Sequence, residues 1–361
     1  MMESNEPKYI LKNFTIDINV QTYGNGHIND TYLCDTKPRY ILQKINTKVF
    51  KNPDDVMENI YNVTQHLRNK IEAAGGDVDR ETLTVIPTRD NEIYYKHTNG
   101  DCFRVYKFIE KSVSCDIAED PMILCHAGTS FGRFQRLLSD FPAHKLHETI
   151  VDFHNTPERV NQLKEAIENN RAGRLDIVSK EIDFALDYSK YATEITDAIK
   201  SGDVPLRVTH NDTKLNNVLF DEESGEGICV IDLDTVMPGS VLYDFGDALR
   251  FGASSCAEDE TDESKIWFDL EKFEYFAKGF LSEVGECLTE KEIELLPLSA
   301  LLMTYECGTR FLADYLNGDV YFKIHRENHN LDRARNQFKL VADIESKLYE
   351  MKEIIKKYIT R

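Results

Sequence analysis

The residues best suited to chemistry lie in one stretch, Leu206–Phe220. It holds His210-Asn211-Asp212-Thr213-Lys214-Leu215-Asn216-Asn217 between two short apolar runs. An acidic, glycine-bearing turn, Asp221–Gly227, leads into Ile228–Ile231, and that strand ends in Asp232-Leu233-Asp234. A hairpin folded at Ser224-Gly225 returns Asp232 opposite Asn217. An amide oxygen and a carboxylate are hard ligands of the kind Mg²⁺ accepts, with phosphate and water completing an octahedron. Asp212, on the same loop, can then take the proton of an attacking hydroxyl. Phosphoryl transfer needs this set. Asp212 is the candidate base, and Asn217 and Asp232 are the candidate metal ligands. His210 is expected to brace the loop. Lys214 either helps the transferring phosphate electrostatically or is a solvated lysine.

Two other motifs compete. Asp232-Leu233-Asp234-Thr235-Val236 also fits the opening of a haloacid-dehalogenase-like phosphatase, in which Asp232 would be a nucleophile. That motif normally begins a doubly wound domain, and no alternating strands follow here. Gly128-Thr129-Ser130-Phe131-Gly132 has the spacing of a nucleophile elbow. It has no strand before it and sits inside a helical pattern, so close helix packing at its glycines is expected. A non-catalytic ATP-binding scaffold is the third alternative, and the intact Asp212, Asn217 and Asp232 set argues against it.

The elements that must position these residues can be read around them. Phe14–Gln21, Thr31–Cys34, Tyr40–Ile45, Leu83–Pro87, Ile93–Lys96 and Cys102–Ile109 read as strands. Asn52-Pro53-Asp54-Asp55 starts a helix that continues through Val56, Ile60, Val63, Leu67 and Ile71 at helical spacing. Beyond residue 110, helical patterns cover 118–139, 157–171, 177–200, 264–284, 289–317 and 331–359. The expected division is a β-rich part at 1–110 and a mainly helical part at 111–361, which carries the hairpin at 205–234 and an acceptor pocket. This is an α+β chain of two lobes.

Composition narrows the partners. The 361 residues carry a formal charge of −20, which disfavours nucleic acid and anionic membrane surfaces. No apolar run has the length of a membrane span, and no targeting segment is legible at the start. The eight cysteines form no CxxC pair and read as free thiols of a reducing compartment, so a cytoplasmic protein is expected.

On Gly24–Tyr32, Tyr40–Ile60, His210–Asp221, Val230–Gly252 and Glu306–Phe322 the chain resembles the aminoglycoside phosphotransferase and choline kinase family, whose fold is protein-kinase-like. Val230–Gly252 and Glu306–Phe322 look most like the members that phosphorylate the anomeric hydroxyl of N-acetylhexosamines. The resemblance implies an ATP- and Mg²⁺-dependent kinase, a monomer or small homo-oligomer, with a small-molecule sugar as acceptor. Choline, homoserine, an aminoglycoside or another sugar are the alternative acceptors. It assigns Asp212 as base and Asn217 and Asp232 as metal ligands. Asp234 is placed on metal or sugar, and Asp247 on the backbone of the catalytic loop. Gly24 and Gly26 stand where a glycine-rich loop would cover ATP. The strand Tyr40–Ile45 should carry a cation for the phosphates. Many relatives have a basic residue where Gln43 stands here, and Lys44, on the opposite face, is the candidate, with Glu58 as its partner. Phe108 and Ile109 lie on the linker against which adenine would rest.

For the acceptor, Arg310, Asp314 and Tyr315 follow Glu306 along one helical face, and the helix should end by opening a pocket beyond them. His27 and Asn29 would reach the sugar if the glycine loop closes.

Overall fold

The structure is a computed structural model, and it describes residues 6–16, 20–24 and 28–359. In chain order the strands are β1 Val20–Thr22, β2 Asp30–Cys34, β3 Tyr40–Ile45, β4 Val85–Ile86, β5 Tyr95–Lys96, β6 Cys102–Lys107, β7 Ser112–Ser114, β8 Arg207–Thr209, β9 Val218–Asp221, β10 Gly227–Val230 and β11 Met237–Gly239. The helices are α1 Glu6–Leu11, α2 Pro53–Ala73, α3 Pro121–Leu137, α4 Thr156–Asn169, α5 Ser179–Tyr188, α6 Glu194–Ser201, α7 Val241–Gly252, α8 Leu270–Val284, α9 Glu290–Asn317 and α10 His329–Tyr358. The chain divides into two compact units. The first holds the chain up to Ser114 with Asp140–Val151 and Val218–Pro238, and the second holds Cys115–Ser139, Asp152–Asn217 and Gly239–Arg361. The chain therefore passes between units several times rather than once near residue 110, and β9 and β10 group with the N-terminal strands.

In the first unit a six-stranded sheet runs β1-β2-β3-β6-β4, with β5 also pairing β6. Its pairings are antiparallel. Leu42, Phe103 and Val105 pack with Ile10, Leu11 and Phe14 of the N-terminal turn region in one apolar cluster. The expected strand Phe14–Gln21 does not form as such. Lys12–Phe14 is a 3-10 turn closed by Thr15 in the left-handed region (φ 64°), residues 17–19 lie outside the described ones, and β1 covers Val20–Thr22. Helix α2 starts at Pro53, where a missing N–H costs nothing. It buries Val56, Ile60, Val63, Leu67 and Ile71, the stripe its spacing predicts. Hairpin β9–β10 pairs Val218 with Val230 rather than with Ile231, one residue off the expected register, because a bulge falls between Gly227 and Cys229. Gly225 turns the chain at φ 72°.

The second unit is built on helices. α9 is 28 residues long and buries nearly every side chain beyond its first turn. α4, α5 and α10 share an apolar cluster with its C-terminal half. The expected helix at 177–200 is broken into α5, a 3-10 turn at Ser189–Tyr191 and α6. The Ser189 hydroxyl donates to the Leu186 carbonyl at 2.6 Å, a local bond that competes with helix continuation.

α3 crosses α8 at glycines. A Cβ on Gly279 would lie 2.0 Å from the Cys125 carbonyl oxygen, and one on Gly128 2.3 Å from that of Phe276. Ser130 is buried and donates to His126 O at 3.0 Å, so the GxSxG spacing serves helix packing. Gly279→Ala must push the two helix backbones apart, and we expect it to cost about 2–3 kcal/mol, read as a lower denaturation midpoint at unchanged slope. Asp232–Val236 is followed by the short strand Met237–Gly239 and then by helices α7–α10, without the alternating strands of a doubly wound sheet among the described residues, which removes the setting of a dehalogenase-like phosphatase. All eight cysteines are free. Among the described residues no helix is long and apolar enough to cross a membrane.

Candidate active site

In the second unit, β8 delivers the loop His210–Asn217. His210 is fully buried, with its ring edge-on to Phe131 and Phe134 at 5.8 and 6.1 Å between centroids. Its Nδ1 accepts the Asp212 N–H at 3.2 Å, a bracing contact. Asn211 holds the left-handed region at φ 65°. What fixes that turn is Asp244 of α7, which accepts the N–H groups of His210 at 2.9 Å and Asn211 at 2.8 Å. Gln135 donates to the same carboxylate at 2.5 Å. Burial lifts the Asp244 carboxyl above the ordinary range against the pull of His210 and these donors. Asp247, one turn on, accepts the Thr213 N–H at 3.0 Å and is paired with Arg250 at 3.2 Å. Leu215–Asn217 then coil into a 3-10 turn.

This frame sets three side chains together. Asp212 Oδ1 pairs with Lys214 Nζ at 2.8 Å, and Asn217 Nδ2 donates to Asp212 Oδ2 at 3.2 Å and to Asp212 O at 2.8 Å. Asp212 keeps 22% of its side chain exposed, enough to be reached. Burial alone would raise its carboxyl, but Lys214 outweighs that and holds it below the usual aspartate value. Lys214 is pushed up in turn: burial works against its charge and the carboxylate prevails. The group can accept a proton at neutral pH. Because the Asn217 nitrogen is committed to Asp212, its oxygen is the atom left for a cation.

A folded carboxyl lying below its unfolded value near 3.8 keeps its stabilising pair fully present above that pH and loses it as pH falls through the folded value. The acid limb of kcat/KM governed by Asp212 is therefore expected below pH 3.8. Lys214→Met should move that limb upward. A limb that stays in place in this variant would detach Lys214 from the base.

In the first unit, Asp232 follows β10 in the left-handed region at φ 60°, and Asp234 is 4% exposed. Asn29 Nδ2 donates to Asp234 Oδ2 at 2.6 Å, and Asn29 Oδ1 accepts the Asn46 N–H at 3.0 Å. Arg104 Nη1 reaches Asp234 Oδ1 at 2.5 Å. The ion pair is close but poorly aligned as a hydrogen bond, so that oxygen has no well-formed donor. Sequence reasoning misses Arg104; the signal that could find it is an arginine in a strand otherwise apolar enough to be buried on both faces.

Several expected placements are corrected. Lys44 pairs with Asp101 at 2.6 Å and does not meet Glu58, because strand alternation turns it away from Gln43. Glu58 contacts His147 at 3.0 Å; its neighbour Asn59 is the inward residue of α2 and donates to Val236 O at 2.9 Å. Asp314 and Tyr315 do not open a pocket. Asp314 accepts the N–H groups of Val320, Tyr321 and Phe322 at 2.8–3.0 Å, closing the chain over the end of α9. Tyr315 is buried, donates to Asn328 and has Arg174 over its ring.

The nucleotide-side residues are placed as follows. Phe108 lies under the Arg39 guanidinium at 4.0 Å, and Ile109 is buried. Gly24 takes φ 73°, while Gly26 and His27 lie outside the described residues.

Arg310 is differently placed. Its guanidinium lies among the rings of Phe153, Tyr321 and Phe322 at 5.4–5.8 Å, and Tyr321 OH is 3.4 Å from Nη2. Tyr321 is 67% exposed. Behind Arg310, Glu306 is buried and accepts from His154 at 2.9 Å and Thr156 at 2.8 Å. Burial opposes charge on both partners, yet their pairing wins, raising His154 and lowering Glu306. His154 also bonds Asn211 O at 3.2 Å, which ties this cluster to the loop of Asp212. Burial, and then Arg310, push the Arg159 guanidinium down, and its Nε is buried without a partner.

By type, the amide oxygen of Asn217 in the second unit and the carboxylates of Asp232 and Asp234 in the first are hard oxygen donors of the kind a magnesium ion accepts. Among the described residues no three His, Cys, Asp or Glu side chains are grouped to hold a metal.

Solved structures similar to this chain share one fold. A spectinomycin phosphotransferase, determined with ADP and spectinomycin, is 15% identical with a TM-score of 0.60 over 97% of this chain and 99% of its own. A microcompartment-associated aminopropanol kinase is 15% identical at TM-score 0.61, covering 97% and 98%. An aminoglycoside phosphotransferase from Alicyclobacillus acidocaldarius is 12% identical at TM-score 0.61, covering 99% and 98%. The fold is protein-kinase-like, as expected from the sequence. Residues 19–265 match the phosphotransferase enzyme family typified by the aminoglycoside phosphotransferases, and the chain belongs to that family.

Proposed function

We propose that the protein is an ATP-dependent kinase of N-acetylhexosamines, transferring the γ-phosphoryl group to the anomeric hydroxyl. The observation that carries the kinase reading is Asp212 paired with Lys214 on a loop whose backbone is fixed by Asp244 and Asp247, with Asn217 bonded to it. Support for the acceptor comes from the strings Val230–Gly252 and Glu306–Phe322 and from Arg310 among three aromatic rings. Aromatic faces suit the apolar side of a sugar ring, and a guanidinium suits an acetamido oxygen or hydroxyls.

In this reading Asp212 accepts a hydrogen bond from the anomeric hydroxyl and orients it. The anomeric oxygen bonds to the γ-phosphorus, the bond from that phosphorus to the β–γ bridging oxygen breaks, and the proton passes to Asp212. Asn217 and Asp232 would hold Mg²⁺, which supplies charge neutralisation on the phosphates when bound. Lys214 keeps Asp212 ionised before the acceptor arrives. Arg310 and Tyr321 grip the acceptor.

The test is phosphorus NMR of ATP–Mg²⁺ reactions with a panel of sugars and amino alcohols. A sugar 1-phosphate signal from N-acetylglucosamine or N-acetylgalactosamine is the expected result. A product only from choline, aminopropanol, homoserine or an aminoglycoside would move the acceptor assignment, and no transfer to any acceptor would end the kinase reading. Arg310→Ala should raise the acceptor KM about tenfold or more while leaving the KM for ATP within about twofold. Steady-state kinetics with each substrate varied checks this.

A further inference from the structure

Thr31, Gln43 and Arg104 occupy paired register positions on β2, β3 and β6. Their side chains form one polar row. Gln43 donates to Thr31 Oγ1 at 3.2 Å and accepts from Arg104 Nε at 3.0 Å, and Arg104 Nη1 continues to Asp234. Gln43 is neutral at the position where the family resemblance leads one to expect a cation. The charge is present, but one strand over. Lys44, on the other face, is spent on Asp101.

Burying Arg104 at 1% exposure and Asp234 at 4% strips water from both. A buried pair of this kind is weak as a stabilising device, since desolvation consumes most of the attraction. It does give conformational definition, and the neighbouring backbone needs it. Asp232 is an L-residue in the left-handed region, a conformation that persists only when its surroundings impose it. Arg104 and Asn29 hold Asp234 from two directions, two residues beyond that point. Arg104 also offsets the charge of two nearby acids, Asp234 and Asp232, both of which favour its protonated form.

We propose that Arg104, by pairing with Asp234, fixes the Asp232–Asp234 turn and thereby sets the affinity for nucleotide with Mg²⁺. Arg104 is a positioning residue, acting through Asp234. The inference rests on the kinase reading but not on the identity of the acceptor.

The experiment measures binding of a non-hydrolysable ATP analogue with Mg²⁺ by calorimetry, the acceptor KM, and the thermal midpoint. Arg104→Gln should weaken Mg²⁺–nucleotide binding at least about tenfold and leave the acceptor KM within about twofold. Arg104→Lys should fall between it and wild type. Adding Gln43→Lys to Arg104→Gln returns a cation to the row and should recover most of the lost affinity. If Arg104→Gln does not fold, the double variant against wild type carries the test: affinity within about threefold supports the proposal, and a larger loss overturns it. A folded Arg104→Gln with unchanged nucleotide affinity, or with affinity and acceptor KM impaired equally, also overturns it. A wild-type chain that binds no nucleotide would instead refute the kinase reading.

Discussion

Asp212→Asn should lower kcat about a hundred- to ten-thousand-fold, with the thermal midpoint nearly unchanged. The two halves of this expectation have separate causes. Asparagine keeps the size of the side chain, and its carbonyl oxygen can still accept from Asn217 Nδ2. What it loses is proton affinity, and the ionic partner of Lys214. That pair is partly open, with 41% and 22% of the side chains exposed, so solvent screens it and its loss weighs little on stability. The loop is not held by this carboxylate in any case; it hangs on Asp244 and Asp247. Turnover measured by ADP release, beside a melting curve, separates the two effects. Near-normal turnover in a folded variant would remove Asp212 as the base. A collapsed melting curve would show that the carboxylate is structural.

How much of this is legible in the sequence depends on how local the signal is. Strands β3 and β6 and helix α2 follow from alternation, helical spacing and a proline at a helix start. The hairpin follows from an acidic, glycine-bearing turn between two apolar runs, and only a bulge, invisible to pattern, shifts its register. Helix α7 escapes because Val241–Arg250 are all buried; a helix covered on every side shows no polar stripe. Asp314 and Tyr315 mislead because residues four apart on a helix share a face whether that face opens to a ligand or is covered by the next loop. Here the loop at Val320–Phe322 folds back, and Asp314 caps its N–H groups. Arg104 and Asp234 are distant in sequence, and no local rule joins them. The question that leads to the pair is what neutralises an arginine between Phe103 and Val105.

The largest structural effect is expected at Asp244. The carboxylate is 1% exposed and accepts three N–H groups, from His210, Asn211 and Gln135. Asp244→Ala leaves two backbone donors buried without acceptors, each worth about 1–3 kcal/mol. Gln135 retains a bond to Val208 O at 3.1 Å, so its loss is partial. The total comes to about 3–5 kcal/mol, enough to lower the denaturation midpoint markedly. Activity should fall with it, because Asn211 sits at φ 65° directly before Asp212 and relaxes toward ordinary backbone once the clamp is gone. Asp244→Asn offers one oxygen where two were used and turns an NH₂ toward a backbone donor, so it should lie between alanine and wild type. Asp212→Asn predicts a dead but stable protein; Asp244→Ala predicts one that is both weakened and slow. If Asp244→Ala melts like wild type and turns over normally, the loop is held by Asp247 and His210 alone, and the role given to α7 as the platform of the catalytic loop fails.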